Sequence, residues 1–243
     1  MELKLDLHIH SAASPDGILK PDEIVAACRA RGLNGCAICD HDVLYQGRTE
    51  YDGFLLIPGE EFSTEYGHLL GLFLQQEIQW NSFEELVSAI HAQGGLAVLA
   101  HPFEHRMDAT VLEPILHLLD GVESWNSRAD RKNRCANAMA QQFAQQHGLA
   151  ETAGSDAHRL QEIGNAALIL ETEPVAETVR QAILCGNGII TGIESPGRYT
   201  ALSQLVRRRR EGCHSPKRWA MALLFLLKCC LEDITRRGKR TCR

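Results

Sequence analysis

Histidine closes or opens one short apolar segment after another along much of this chain. The segments ELKLDLHIH, LNGCAICDH, GHLLGLFL, LAVLAH and LAETAGSDAH have the length and apolar content of buried strands. Because strands that alternate with helices form parallel sheets or barrels whose strand ends meet at one edge, the pattern predicts an α/β fold. The polar residues at these segment ends are His8, His10, His41, His68, His101, Asp156 and His158.

Helix signals separate these segments. Pro21 opens the first predicted helix and Gly32 ends it, while Ser82 and Glu85 form a capping box for a second helix that stops at Gly94. Further helices are predicted over ATVLEPILHLL, RKNRCANAMAQQFAQQHG and PVAETVRQAILCG. The near-continuous apolar strands indicate a parallel sheet that is covered by helices.

The charge distribution indicates a boundary near residue 196. The chain of 243 residues has a net charge of −6, yet residues 197–243 hold 13 Lys+Arg against three Asp+Glu. We therefore predict a domain at 1–196 and a short basic, helical appendage at 197–243. Its helix, KRWAMALLFLLKCCLEDITRR, has an apolar first half that is too short to span a bilayer. Packing on the domain, self-association and contact with an anionic partner such as RNA or a membrane surface stay open.

The cysteines and the first residues indicate the compartment. Nine cysteines are scattered without the spacing of a disulfide framework, and MELKLDLHIH does not have the pattern of a secretion signal. We expect a reduced, cytoplasmic protein without a transmembrane segment.

The histidines and acids at the strand ends predict a multinuclear metal site. His8 and His10 are two residues apart on one strand, so both rings face the same side and can share an ion. Neutral imidazole and carboxylate are the ligands that borderline divalent metals prefer. A site of this composition suits a bound phosphate, whose oxygens the ions stabilise.

Six motifs in a fixed order resemble the PHP (polymerase and histidinol phosphatase) family of metal-dependent phosphoesterases, in its stand-alone form. They are DLHIHSAASPDG, CDHD, PGEEFST, GHLLG, AHP and GSDAH, and the resemblance covers about residues 1–195. It implies a distorted seven-stranded (β/α) barrel with two to three divalent ions, which in this family are manganese, zinc, iron or magnesium.

The resemblance also implies the ligand sets. His8, His10, Glu61 and Asp156 would hold the first ion. Glu61 would bridge to a second ion that His68 and His101 complete. Asp16, His41 and His158 would hold the third, although the loop that carries Asp16 is one residue longer than is usual in the family.

Chemistry at such a centre would be hydrolysis of a phosphoric ester. A hydroxide that bridges the metals and is held by Glu61 would attack phosphorus, and His41 could give the leaving oxygen its proton. Asp40 could orient an imidazole. Asn126 and Arg128 follow the predicted strand GVESW at the same end, and Arg128 suits a phosphate that it contacts bidentately. His105, in a loop, could also reach substrate.

The resemblance leaves several substrates open. A phosphomonoester of nucleotide type, such as a nucleoside 3′,5′-bisphosphate, is favoured, because members that degrade RNA tend to carry an insertion after the HP motif. Only a short interval separates His101 from the next predicted strand. The alternatives are a 5′–3′ exoribonuclease on short RNA, a histidinol-phosphate phosphatase and, in a different class, a non-catalytic scaffold. All nine ligand positions are occupied by suitable residues, which argues against the scaffold.

Overall fold

The computed structural model describes residues 1–105 and 107–236. One ten-stranded sheet forms its centre, in the order β10-β9-β1-β2-β4-β5-β6-β7-β8, with β3 paired to β4. The strands are β1 (Glu2–Ile9), β2 (Gly35–His41), β3 (Glu50–Tyr51), β4 (Phe54–Thr64), β5 (Gly67–Leu72), β6 (Leu96–Leu99), β7 (Gly121–Asn126), β8 (Ala150–Gly154), β9 (Ala166–Glu171) and β10 (Ile189–Gly192).

The sheet curls until β8 meets β1. The backbone N–H of Asp156 donates to the carbonyl oxygen of His8 at 2.8 Å, and that of His10 donates to Ala157 at 2.9 Å. Gly154 permits this approach, because a Cβ there would collide with the Cβ of His8. The seven strands from β1 around to β8, without β3, thus form a nearly closed barrel, which confirms the predicted PHP-type barrel. Strands β9 and β10 extend the sheet from β1.

The predicted parallel sheet is parallel only in part. Strands β1, β2 and β4 are parallel to one another, as are β6, β7 and β8, but β5 is antiparallel to both β4 and β6. Only two residues, Glu65 and Tyr66, join β4 to β5. Such a link closes a hairpin and is far too short for the crossover that parallel strands require.

Helices pack around this sheet. They are α1 (Pro21–Ala30), α2 (Phe83–Ala92), α3 (Ala136–His147), α4 (Ala176–Leu184), α5 (Gly197–Arg210) and α6 (Pro216–Arg236). The Ser82 hydroxyl accepts a hydrogen bond from the N–H of Glu85, as the capping box predicts. The helix predicted near residue 110 is instead a 3-10 helix, Ala109–Leu118. Pro114 lies inside it and has no N–H for an α-helical ladder.

Three apolar clusters form the core. One consists mainly of strand residues, among them Leu5, Leu70 and Val98. Another packs α1 on the sheet through Ile24, and the third includes Phe83 of α2. Because these clusters anchor the strands, the strand ends can carry polar side chains in fixed positions.

The appendage folds as a helical pair, α5 and α6, that is joined to the rest of the chain. The carboxylate of Asp233 in α6 accepts hydrogen bonds from the backbone N–H groups of Gly197 (2.7 Å) and Arg198 (3.1 Å), at the first residues of α5. Arg131 reaches α6, where its Nη2 lies 2.7 Å from Cys229 Sγ. Within the described residues no helix is long and apolar enough to cross a membrane. Residues 237–243 of the predicted appendage lie outside the described residues.

Candidate metal centre

The fold brings all nine predicted ligands to one end of the barrel. His8 lies in β1 and His41 ends β2, while Glu61 and His68 lie on the hairpin of β4 and β5. Loops that follow strands carry the others, which are His10, Asp16, His101, Asp156 and His158. Four overlapping groups of three have donor atoms within 4.8 Å of one another, and each could hold a metal ion.

Glu61 occupies the centre of the cluster and is almost fully buried. Its Oε1 lies 2.8 Å from His68 Nδ1 and 3.1 Å from His101 Nε2, and its Oε2 lies 2.8 Å from His41 Nδ1. Burial opposes a charge here, but the imidazoles of His8, His68 and His41 outweigh it and hold the pKa of Glu61 well below its usual range. Both oxygens therefore stay ionised and face different histidines, as a bridging ligand must.

The remaining ligands form two close groups beside Glu61. His10 Nε2 lies 3.0 Å from His8 Nε2 and 3.2 Å from Asp156 Oδ1. Burial and the nearby His158 lower the pKa of His10 well below its usual value, so this ring is neutral, as a metal ligand must be. Asp16 Oδ1 lies 3.1 Å from His158 Nε2.

Buried atoms without hydrogen bonds test whether these residues fit a metal. Eleven buried side-chain nitrogen and oxygen atoms have no hydrogen bond of good geometry in the described part of the chain, and four of them belong to predicted ligands: Asp16 Oδ1, Glu61 Oε2, His68 Nδ1 and His158 Nε2. These four lie 2.8–3.1 Å from atoms of other predicted ligands without the alignment of a hydrogen bond, although buried polar atoms are rarely left unsatisfied. Their chemistry, imidazole nitrogen and carboxylate oxygen, is that of a divalent-ion site, so the residues fit the implied ions.

A serine and a carboxylate hold His10 in the form that binds metal. The Ser14 hydroxyl donates to Asp40 Oδ1 at 2.6 Å, so its oxygen accepts from His10 Nδ1, 2.9 Å away. With the proton on Nδ1, the lone pair of Nε2 points into the cluster. Asp40, which the sequence predicts to orient an imidazole, reaches that of His10 through Ser14.

Glu123 does the same for His8, and sequence reasoning missed it. Its buried Oε1 lies 3.0 Å from His8 Nδ1, and its Oε2 accepts from the backbone N–H of His101 at 3.1 Å. The carboxylates of Glu123 and Glu61 outweigh burial and raise the pKa of His8 well above its usual value, so without an ion this ring carries a second proton, which a metal would have to displace. The available signal was a charged residue inside the apolar strand GVESW, since such residues are almost never buried without a partner.

Two ligands sit on strained backbone. The φ angles of His101 and Asp156 are +29° and +52°, values that side chains other than glycine rarely adopt. The backbone N–H of His101 donates to Glu123 Oε2, and that of Asp156 donates to the carbonyl oxygen of His8. These hydrogen bonds hold the strained backbone in place. Strain that the surroundings maintain in this way is typical of functional sites.

A cavity of about 260 Å³ opens onto the cluster. Arg128, predicted to bind substrate, lines it but is largely buried, and its Nε and Nη2 donate to the carboxylate of Glu162 at 2.8 and 2.6 Å. His105, the predicted loop residue, lines the mouth and is 72% exposed. Its neighbour Lys132, which the sequence did not single out, also lines the cavity.

Asn126 does not line the cavity. It is buried beneath the cluster, where its Nδ2 donates to Glu123 Oε2 at 3.0 Å and its Oδ1 accepts from the backbone N–H of Arg128. Its side-chain amide is therefore engaged by Glu123 and by the Arg128 backbone, so the predicted contact between Asn126 and substrate does not fit this position.

Comparison with protein families identifies the chain. The family model described as PHP domain matches residues 6–142, and one described as PHP-associated matches residues 134–187. The first covers more than half of the chain, so the protein belongs to the PHP family.

Relatives and solved structures agree with this assignment. An uncharacterized protein from Methanocaldococcus jannaschii is 34% identical over 172 residues, which are 68% of this chain and 69% of that one. A 5′-3′ exoribonuclease from Haemophilus influenzae is 43% identical over 82 residues, 30% of this chain and only 29% of its own length. A two-domain protein from Bacteroides vulgatus with a PHP-like metal-dependent phosphoesterase has the same fold, with a TM-score of 0.65 at 19% identity over 84% of this chain and 70% of that one.

Proposed function

We propose that this protein hydrolyses phosphomonoesters of nucleotide type with the help of two to three divalent ions. The observation that carries the proposal is the convergence of nine imidazole and carboxylate side chains at one end of the barrel, seven of which line one cavity. Membership of the PHP family supports a phosphoric ester hydrolase.

The ion sets follow the resemblance to the family. We propose that His8, His10, Glu61 and Asp156 hold one ion, that Glu61, His68 and His101 hold a second, and that Asp16, His41 and His158 hold a third. Manganese, zinc, iron and magnesium are all candidates, since ligands of this kind accept several metals. Bound ions would stabilise charge on the phosphoryl oxygens and lower the pKa of a water near the ester.

The chain itself supplies orientation and a proton. Ser14 and Glu123 keep the Nε2 atoms of His10 and His8 free to bind metal. His41 lines the cavity, and the carboxylates of Glu61 and Asp16 raise its pKa although burial opposes the charged form. With only the first two ions bound, His41 suits donation of a proton to the leaving oxygen, whereas with a third ion bound it is a ligand of that ion instead.

The dimensions of the cavity favour a small substrate. Its volume of about 260 Å³ lies just below the usual range of small-molecule sites, which is about 300–1,000 Å³. The interval between Leu99 of β6 and Gly121 of β7 is too short for an added module, and its described residues form a loop and the 3-10 helix Ala109–Leu118. Both features support a nucleotide, such as a nucleoside 3′,5′-bisphosphate, over a long RNA.

A second candidate is 5′–3′ exonuclease action on short RNA. The identity of 43% to the exoribonuclease of Haemophilus influenzae favours it, although that match spans less than a third of either chain. Hydrolysis of histidinol phosphate is a further candidate that the same experiment tests.

Metal content and phosphate release together test the proposal. Purified protein would be assayed for bound metals and for activity on adenosine 3′,5′-bisphosphate, a 5′-phosphorylated trinucleotide, histidinol phosphate and an aryl phosphate. We expect two to three ions per chain and the highest rate on the bisphosphate, with both lost in His10→Ala and Asp156→Asn.

His91→Ala provides the matched control. His91 is exposed, pairs with Asp120 and lies outside the cluster, so this variant should keep its metals and its activity. A wild-type protein that stays folded and binds neither manganese nor zinc would overturn the proposal and leave the non-catalytic scaffold.

A further inference from the structure

One wall of the cavity comes from a helix that the family models do not cover. Those models end at residue 187, whereas α5 begins at Gly197. Thr200, Ser203, Gln204 and Arg207 of α5 line the cavity together with the predicted ligands. Their spacing of three, four and seven residues places them on one face of the helix, and all four are polar. The basic appendage therefore presents a polar face to the metal centre.

Hydrogen bonds hold α5 in place along its whole length. Asp233 binds the N–H of Gly197 at the first turn, and Ser203 Oγ accepts from Arg128 Nη2 at 3.2 Å in the middle. At the last turn Arg210 Nη1 donates to the carbonyl oxygen of Ser14 at 2.5 Å. Because Ser14 belongs to the loop that orients His10, the helix is fixed relative to the metal ligands.

Arg207 places a guanidinium at this wall, and its present partner can be replaced by another anion. Its Nε lies 2.8 Å from Glu211 Oε1, and the two side chains are 54% and 44% exposed. Exposed ion pairs of this kind contribute little to stability, so a stronger anion can take the place of the carboxylate. Lys132, from a separate segment of the chain, also lines the cavity and is 41% exposed.

We propose that α5 is the wall that selects the substrate, and that Arg207 binds a second phosphoryl group of the small molecule whose first phosphate lies at the metal centre. A guanidinium contacts phosphate bidentately, and such charge-assisted hydrogen bonds are about twice as strong as neutral ones. Thr200 and Gln204 offer a hydroxyl and an amide to the sugar or base between the two phosphates. This inference rests on the proposed function.

Two variants of opposite effect test the inference with manganese-loaded, full-length protein. Arg207→Gln removes the cation and should lower kcat/KM for adenosine 3′,5′-bisphosphate, relative to p-nitrophenyl phosphate, by about tenfold through KM. Glu211→Gln removes the competing carboxylate and should lower the KM for the bisphosphate. Arg209→Gln is the matched control, because Arg209 is an exposed residue of the same helix that does not line the cavity.

The outcomes separate this inference from the proposed function. Wild-type protein that hydrolyses the aryl phosphate, with the same ratio of kcat/KM values in Arg207→Gln and Arg209→Gln, would overturn the role of Arg207 and leave the phosphatase intact. Wild-type protein that hydrolyses no phosphate ester would overturn the proposed function and this inference with it.

Discussion

The barrel end and the α5–α6 cover hold their polar groups in different ways. At the barrel end most polar side chains are buried, and His10 and His8 each have a second polar group behind them, Ser14 and Glu123. On the cover the ion pairs are exposed, as between Arg207 and Glu211. Loss of one partner from a buried pair leaves an unsatisfied group, whereas loss from an exposed pair costs little.

This difference suggests a division of work between the two regions. The barrel end keeps the metal ligands in one geometry, and its strained residues show that the surroundings enforce that geometry. The exposed side chains of the cover can exchange an ion-pair partner for a group of the substrate, which suits the selection of substrates. Changes at the barrel end should therefore have large effects on metal binding, and changes on the cover should have small ones.

The largest effect is expected from Glu61→Gln. The amide cannot bridge two ions as the carboxylate does, so activity should fall by about 10³-fold or more and bound metal should be lost. Elemental analysis and phosphate release would measure both. Glu171→Gln, an exposed change on β9, is the control. Full metal content with more than a tenth of the activity would contradict a central role for Glu61.

The pH dependence of stability should have opposite signs with and without metal. Burial opposes charge on His101, but Glu61 and Glu104 outweigh it and raise its pKa to about 9 in the absence of ions. Its unfolded pKa is about 6.5, so the stabilising proton is fully present below that pH and is lost as pH rises through 9, at a cost of up to about 3 kcal/mol.

Urea unfolding at pH 6 and pH 9.5 would test this sign. In EDTA the protein should be less stable at pH 9.5, and His101→Asn should weaken the dependence. With manganese the protein should instead be more stable at pH 9.5 than at pH 6, since ligands bind metal only when deprotonated. The same change in unfolding free energy between the two pH values, with and without metal, would show that His101 does not take part in metal binding.

A smaller effect is expected from Glu123→Gln. Carboxylates behind metal-bound histidines typically contribute 10- to 100-fold to metal affinity, so the variant should bind its most weakly held ion about that much less tightly. Competition with a chelator would measure the change. An affinity within twofold of that of Glu171→Gln would rule out the role of Glu123 in holding His8.

The smallest effect is expected on the cover, from Asp233→Asn. The amide can accept only one of the two backbone hydrogen bonds at Gly197 and Arg198 equally well, so α5 should lose about 1 kcal/mol of local stability. Hydrogen exchange of the α5 amides should quicken while the metal content stays the same. Unchanged exchange would mean that packing with α6 alone holds the helix.

Most of the barrel was predictable, and its exceptions have local causes. The apolar segments marked the strands, but the direction of β5 depended on the two-residue link after Thr64, which excludes a crossover. The 3-10 helix Ala109–Leu118 follows from Pro114. The prediction of a regular helix there rested on the apolar periodicity of the segment and did not take this proline into account. Seven of the nine predicted ligands followed from strand ends, and Asp16 and Glu61 came only from the resemblance to the PHP family. The engagement of Asn126 beneath the site depended on Glu123 across from it.

The sequence by itself determined which residues gather at the barrel end. Strand and turn signals are local, and a histidine at a strand end keeps that position however the strands are arranged. Only the tertiary structure decided which groups stand behind them and what covers them. Ser14 meets His10, Glu162 meets Arg128, and the polar face of α5 meets the cavity because segments distant in sequence pack together. Such pairings depend on distances between elements, and no local pattern in the chain encodes those distances.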